Sequence, residues 1–235
     1  MDLRRQNTVG IVPAAGIGVR MGANRPKQFL EVNGMPILAL TLRTLQDCGA
    51  VDKVIVVAPE EDVEYCRGDI VGHFGLDKVM EVIAGGERRQ DSVRLGLEAA
   101  GEGFGLVVIH DGVRPLVKGE LLEKVVLAAG KHGAAVAGLP ARETVKEADE
   151  GGLVVRTLDR SVIWLIQTPQ AFSTEILRKA HERAQRAGWS EATDDAALVE
   201  RLGVPVKIVR GSERNIKVTT PLDLEMVRFL LERGG

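Results

Sequence analysis

The stretch VGIVPAAGIGVRMGANRPKQFLEVNG, Val9 through Gly34, runs from a short apolar segment into a turn rich in Ala and Gly, and then past Arg20, Arg25 and Lys27. An apolar run without alternation, closed by small residues, is the pattern of a strand covered on both faces. Ala14, Ala15 and Gly16 let main-chain N–H groups approach an anion, and cations with reach follow them. Comparable apolar runs recur at Val54 to Ala58, Val79 to Ala84, Leu106 to His110 and Ala134 to Leu139. Helical periodicity fills most of the intervals, at Ile37 to Cys48, Arg89 to Ala100 and Glu120 to His132. Buried strands alternating with helices predict an α/β fold, a doubly wound and mostly parallel sheet. Ligands of such sheets sit beyond the carboxyl ends of the strands, which is where the loop after Pro13 falls.

The whole chain is consistent with that reading. Its 235 residues suit one domain spanning positions 1–235, with a length sufficient to bury a core. With 31 basic and 33 acidic residues the net charge is −2, so nothing in the global balance asks for nucleic acid or an anionic membrane, and any anion must be bound locally. Cys48 and Cys66 have neither a CxxC nor a metal-ligand spacing and suit a reducing compartment. The N-terminal MDLRRQNT enters the first strand without a signal-type apolar region, and no apolar stretch approaches the ~18 residues of a membrane span. The expected location is the cytoplasm. Internal repeats, low-complexity tracts and linkers are absent from the pattern.

The regularity breaks after Leu139. ARETVKEADEGGLVVRTLDRS reads as two short polar strands, Glu143 to Glu147 and Leu153 to Leu158, about a turn at Asp149 to Gly152. A polar hairpin inserted at 141–158 is either a solvent-exposed excursion or an arm lying on a partner subunit. The pattern resumes with a strand at Val162 to Ile166, helices at Thr174 to Ala187 and Asp194 to Leu202, a strand at Val206 to Val209 and a final helix at Pro221 to Glu232.

Three loops carry chemistry. Gly16-x-Gly18 resembles a dinucleotide fingerprint, but Met21 stands at the third glycine position and no acidic residue follows at the required distance, which disfavours a dehydrogenase. The loop also lacks the Gly-Lys-Ser/Thr ending of a P-loop. In AGGERRQDSV, Gly85 and Gly86 permit close backbone approach, and Arg89 and Ser92 share a helical face. In IHDGVRP, Asp111 and Arg114 lie just past a buried strand, where a carboxylate can hold a metal or a ribose hydroxyl. Each loop alone could be an ordinary turn with solvated charges. Together, at one sheet edge, they have the composition of a nucleotide site that uses Mg²⁺. TDDAALVE reads as a helix start with Thr193 as cap and Asp194 and Asp195 favoured by the helix dipole. His73, His132 and His181 read as surface residues, and His110 as a structural residue rather than a base.

Taken in order, VPAAGIGVRMG, RPKQF, GGERRQDSV, HDGVRP, the hairpin, TPQAF and NIKVTTPLDL resemble the 2-C-methyl-D-erythritol 4-phosphate cytidylyltransferases, over about Thr8 to Leu231. The resemblance implies a nucleotidyltransferase-type fold, CTP and a polyol phosphate as ligands, Mg²⁺ or another divalent cation, and a homodimer whose hairpin arms clasp the partner. It implies a step of the non-mevalonate isoprenoid pathway, without the fused downstream cyclase of some relatives. Carried over by position, the nucleotide site comprises Pro13, Ala14, Ala15, Gly16, Gly86, Arg89 and Ser92, with Asp111 and Arg114 on the ribose and metal side. Thr144, Arg160, Thr168 and Lys217 are implied on the substrate side, Thr144 and Arg160 serving the other subunit. Arg20, Lys27, Arg160 and Lys217 are the implied catalytic cations, and Arg25 a bystander. Gly112 and Val113 stand where many relatives have two alanines. The competing readings are a ribitol-5-phosphate cytidylyltransferase, disfavoured by Ala14-Ala15-Gly16 in place of Ala-Gly-Gly, and a catalytically silent nucleotide-binding regulator, disfavoured by cations on both sides of the α-phosphate.

Overall fold

The computed structural model of the chain describes residues 6–16, 25–189 and 192–233. In chain order the elements begin with β1 (Thr8–Pro13), a two-residue ladder of β2 (Glu31–Val32) and β3 (Met35–Pro36), α1 (Ile37–Asp47) and β4 (Lys53–Ala58). They continue with α2 (Val63–Tyr65), β5 (Val79–Ala84), α3 (Arg89–Ala99), β6 (Leu106–Ile109), α4 (Gly119–His132) and β7 (Ala134–Pro140). The hairpin strands β8 (Lys146–Ala148) and β9 (Val154–Thr157) come next, and then β10 (Trp164–Ser173), α5 (Thr174–Ala187), α6 (Asp195–Glu200), β11 (Lys207–Arg210) and α7 (Pro221–Glu232).

The main sheet has seven strands in the order β11-β7-β10-β6-β1-β4-β5. Pairs β1–β4, β1–β6, β4–β5 and β7–β11 are parallel, and β10 runs antiparallel to both β6 and β7. Period-two alternation divides the central strands between two cores. Val12, Val56 and Val108 pack with Leu38 and Leu42 of α1 and Leu122 and Val125 of α4. Ile11, Ile55, Val57 and Ile109 point the other way, onto Val93 and Leu97 of α3 and Leu177 and Ala180 of α5. Helices on both faces explain why these strands read as continuous apolar runs rather than alternating ones. A third cluster, with Val32, Ile37, Val113, Val218, Leu224 and Val227, seats α7 near the carboxyl ends of the strands. Pro221 opens α7, and Thr220 and Asp223 form a reciprocal capping box, so its start falls where the sequence places it.

Some expected boundaries shift. The strand expected at Val162 to Ile166 is preceded by a 3₁₀ turn, Arg160–Val162, and extends through Pro169 to Ser173. A proline is tolerated inside β10 because the pairing with β7 changes register between Gln167 and Gln170, so the ladder needs no N–H there. The helix read from Asp194 is capped by Asp194 itself, whose Oδ1 accepts from the Ala197 N–H at 3.0 Å, rather than by Thr193. A helical stretch from Val63 through a π-type segment, Cys66–Gly72, was not expected; Gly68 and Gly72 mask its period, and it buries only Cys66 and Ile70.

The hairpin exists but is shorter than expected, and every residue of β8 and β9 is exposed. Its turn is held by Asp149 Oδ1, which accepts from the N–H groups of Gly151 (3.0 Å) and Leu153 (2.9 Å). Cys48 and Cys66 are buried free thiols. Among the described residues no helix is long and apolar enough to cross a membrane.

Candidate active site

The loops after β1, β5 and β6 meet at one edge of the sheet and enclose a cleft. Pro13 to Gly16 form one wall, Gly86 to Arg89 and Ser92 another, and Lys27, Gln28, Asp111, Val113 and Lys217 complete it. Each loop is fixed by its neighbours. Ala14 donates its N–H to Val57 O at 2.7 Å, and Gly112 donates to Pro13 O at 3.2 Å. The buried Gln28 side chain donates to Ala14 O at 2.7 Å, tying the Lys27 turn to the small-residue loop. A β-carbon on Gly85 would lie 2.4 Å from Ala15 Cβ and 2.8 Å from Ser92 Oγ, so the two loops can touch only because that position has no side chain. Ser92 Oγ accepts from the Gly86 N–H and donates to Arg88 O, each at 3.2 Å, folding the glycine loop onto the start of α3.

Asp111 is the electrostatic centre. It is buried, and its carboxylate meets Lys217 Nζ at 3.0 Å, Arg114 Nε at 3.4 Å and Arg89 Nε at 3.4 Å. Burial opposes its charge, but Arg89, Lys217 and Arg114 together hold the carboxyl well below the usual carboxylate range. Arg89 also reaches Asp195 Oδ2 at 2.6 Å. Burial works against the Arg89 charge, and the Asp195 and Asp111 carboxylates more than offset it. Arg114 is pulled down by burial, with Asp111 acting in the opposite sense.

The sequence-derived residues divide into groups by position. Pro13, Ala14, Ala15, Gly16, Lys27, Gly86, Arg89, Ser92, Asp111 and Lys217 share the cleft. Arg114 and Thr168 lie behind it. Arg114 Nη1 donates to Asn215 O at 2.8 Å, and Thr168 Oγ1 accepts from the Asp111 N–H at 3.0 Å. Thr144 and Arg160 are exposed on and beside the hairpin, outside the cleft lining, with Arg160 Nη1 donating to Arg142 O at 2.6 Å. Arg20 lies outside the described residues. Arg25, expected as a bystander, stacks over the Tyr65 ring at 4.5 Å and anchors the start of the Lys27 turn. Val113 fits in place of a smaller residue because it also packs into the α7 cluster and its carbonyl accepts from the Val218 N–H at 2.9 Å.

A family model described as 2-C-methyl-D-erythritol 4-phosphate cytidylyltransferase matches residues 8–233. The chain belongs to this family. The cytidylyltransferase of Syntrophus aciditrophicus is 46% identical over 229 residues, 97% of each chain. Among solved structures, the 4-diphosphocytidyl-2C-methyl-D-erythritol synthase of Anaerococcus prevotii superposes with a TM-score of 0.84 at 32% identity, covering 97% of each chain. The 2-C-methyl-D-erythritol 4-phosphate cytidylyltransferase of Thermus thermophilus gives 0.78 at 36% identity, covering 97% of this chain and all of the other. The chain is thus an enzyme, a cytidylyltransferase of the isoprenoid precursor route.

Within this cytidylyltransferase cleft, the described residues contain no group of three or more His, Cys, Asp or Glu side chains able to hold a metal. Asp111, expected as the metal ligand, has both oxygens facing cations, so the donor set as arranged does not fit a resident divalent ion. Four contributors escaped the sequence reading: Gln28, Asn215, Asp195 and His181. His181, expected on the surface, is buried, with Nε2 3.2 Å from Asp195 Oδ1. Its place at the spacing of Leu177, Ala180 and Ala184 is the signal that could have found it.

Proposed function

We propose that this cleft binds CTP and 2-C-methyl-D-erythritol 4-phosphate and transfers the cytidylyl group between them. A phosphate oxygen of the polyol phosphate attacks the α-phosphorus of CTP, a new P–O bond forms, and the bond to the bridging oxygen of the β-phosphate breaks. Pyrophosphate leaves with that electron pair, and 4-diphosphocytidyl-2-C-methyl-D-erythritol remains. The nucleophile is already an anion, so no general base is required.

The observation that carries the proposal is the placement of Lys27, Arg89 and Lys217 around one cleft whose remaining wall is the small-residue loop Ala14 to Gly16. Small residues admit the triphosphate to main-chain N–H groups, and the cations offset charge that builds on the leaving and equatorial oxygens. Lys27 and Arg20 are assigned to the triphosphate. Lys217, held against Asp111, is assigned to the attacking phosphate, whose approach to a second anion it eases. Asp111 then serves to hold three cations apart and oriented, with the ribose hydroxyls as its neighbours on the nucleotide side. Pro13, Gly86, Ser92 and Arg114 shape the nucleotide side, and Thr168 supports Asp111 from behind. A divalent cation is assigned to the substrate, entering on the triphosphate oxygens. Thr144 and Arg160 are assigned to the cleft of a second copy reached through the 141–158 arm, the rest of the chain forming one nucleotidyltransferase domain. The net charge of −2 and the two buried free thiols support a cytoplasmic setting.

Pyrophosphate release measured with CTP, Mg²⁺ and each polyol phosphate in turn tests this reading. Turnover with 2-C-methyl-D-erythritol 4-phosphate and CTP is expected, falling by at least about 10²-fold when ATP or GTP replaces CTP, because a site built to hydrogen-bond one base rejects others by such factors. Equal turnover with ribitol 5-phosphate would overturn the substrate assignment, and absence of pyrophosphate with every acceptor would overturn the catalytic reading of the cleft.

A further inference from the structure

Arg89, in the wall of the cleft, is the open end of a polar chain whose inner members, Asp195 and His181, lie behind that wall. Its Nη1 donates to Asp195 Oδ2 at 2.6 Å, the other oxygen of Asp195 lies 3.2 Å from His181 Nε2, and Asp195 and His181 are both nearly inaccessible. Asp195 does not line the cleft. The adjacent Asp194 caps α6 and accepts a hydrogen bond from Gln170 Nε2 at 2.8 Å, so the backbone that carries Asp195 is tied to β10 through its neighbour. The backbone of Asp111, on the other side of Arg89, is tied to the same strand, since its N–H donates to Thr168 Oγ1 at 3.0 Å. Two residues of one strand, Thr168 and Gln170, therefore tether the two backbone segments that carry the acids flanking the guanidinium.

We propose that Asp195, braced by His181 and registered by Gln170, is a positioning residue for Arg89, holding its remaining N–H groups toward the nucleotide. The physical reason is the fixed fork of guanidinium donors. With Nε committed to Asp111 and Nη1 to Asp195, the plane of the group is set by two anchors, and the arginine loses little further side-chain freedom when CTP arrives. With Asp195 neutral, one anchor weakens and the group can turn wholly toward Asp111. This inference rests on the assignment of Arg89 to the nucleotide side of the cleft.

The test is a double-mutant cycle read through steady-state kinetics with each substrate varied. Asp195→Asn keeps the shape and removes the charge; it is expected to raise KM for CTP about tenfold, the size of one charged hydrogen bond, with KM for the polyol phosphate unchanged. In an Arg89→Ala background the same substitution is expected to change KM for CTP less than about twofold, because a residue acting through Arg89 has nothing left to position. Equal, additive losses in the two backgrounds would reduce Asp195 to a structural support and overturn the proposal, as would an unchanged KM for CTP in Asp195→Asn. If Asp195→Asn does not fold, the same cycle with His181→Gln decides between these outcomes. A normal KM for CTP in Arg89→Ala alone would instead overturn the nucleotide assignment on which the inference rests.

Discussion

His110 follows the last residue of β6 and precedes Asp111, at a point where a reaction needing a base could use it, but its surroundings keep it neutral. Nε2 lies 3.3 Å from Arg114 O and so donates to it, which leaves Nδ1 unprotonated, and Nδ1 is buried with no partner among the described residues. A second proton would sit where no acceptor waits. Burial accordingly pulls the pKa down to about 4, although the nearby Asp111 carboxylate acts the other way. The folded value lies below the ordinary histidine value of about 6.5, so between those limits the unfolded chain binds more protons and stability falls with falling pH. The loss is expected to approach about 3 kcal/mol near pH 4 and to stop growing below it. Urea unfolding at a series of pH values should show the slope, and His110→Gln, which can still donate to the carbonyl, should flatten it; an unchanged slope would remove His110 from the account. Residues of this kind mark the limit of what the sequence shows. The glycines, lysines and arginines of the cleft are legible because their chemistry is local to short motifs, whereas Asp195 meets Arg89 across 106 positions and reads locally as a helix start.

Elements whose period is unbroken were legible from sequence, and elements shaped by their neighbours were not. α4, α5 and α7 bury one stripe each, and their ends carry local signals, Gly133 and Gly188 in the left-handed region after α4 and α5 and the capping box before α7. The full length of β10 was hidden because its antiparallel partners, not its own apolar pattern, carry it past Pro169. The same dependence on neighbours makes the turn between β5 and α3 sensitive. Gly85 donates its N–H to Ala58 O at 2.8 Å while its α-carbon faces Ala15, a side chain too short to move aside. Gly85→Ala should therefore force the β1 and β5 loops apart. Overpacking of this kind costs about 1–3 kcal/mol, and thermal unfolding should register it. Because the displaced loop is a wall of the cleft, KM for CTP should rise in the same variant, while Gly68→Ala, in open space within the π-type segment, should leave that KM unchanged. A Gly85→Ala enzyme with wild-type KM would show that the close approach does not shape the site.

At the scale of the molecule, the hairpin is the part that one chain leaves unexplained. A two-stranded ribbon is marginal by itself in water, and this one buries none of its strand residues. It carries Leu153, 72% exposed, with Val154 and Val155, and the neighbouring Val162 and Leu165 are open as well. Several exposed large apolar side chains on and beside a polar ribbon are what a protein interface leaves on a single chain. Thr144 and Arg160, which the family resemblance assigns to a second copy, are exposed on and beside this ribbon and do not line their own chain's cleft. The assignment makes a quantitative prediction. If Arg160 acts across the interface, Lys27→Ala and Arg160→Ala enzymes, each inactive alone, should recover activity when their subunits are exchanged, because a mixed dimer contains one cleft with Lys27 from one chain and Arg160 from the other. Random pairing leaves about a quarter of all clefts intact, so about that fraction of wild-type turnover is expected. Sedimentation of a Leu153→Asp/Val155→Asp variant should show the monomer, and adding that pair of substitutions to both enzymes should abolish the recovery. Failure of the two single variants to complement, with dimers present, would place Arg160 outside the partner's chemistry and leave the arm an exposed ribbon.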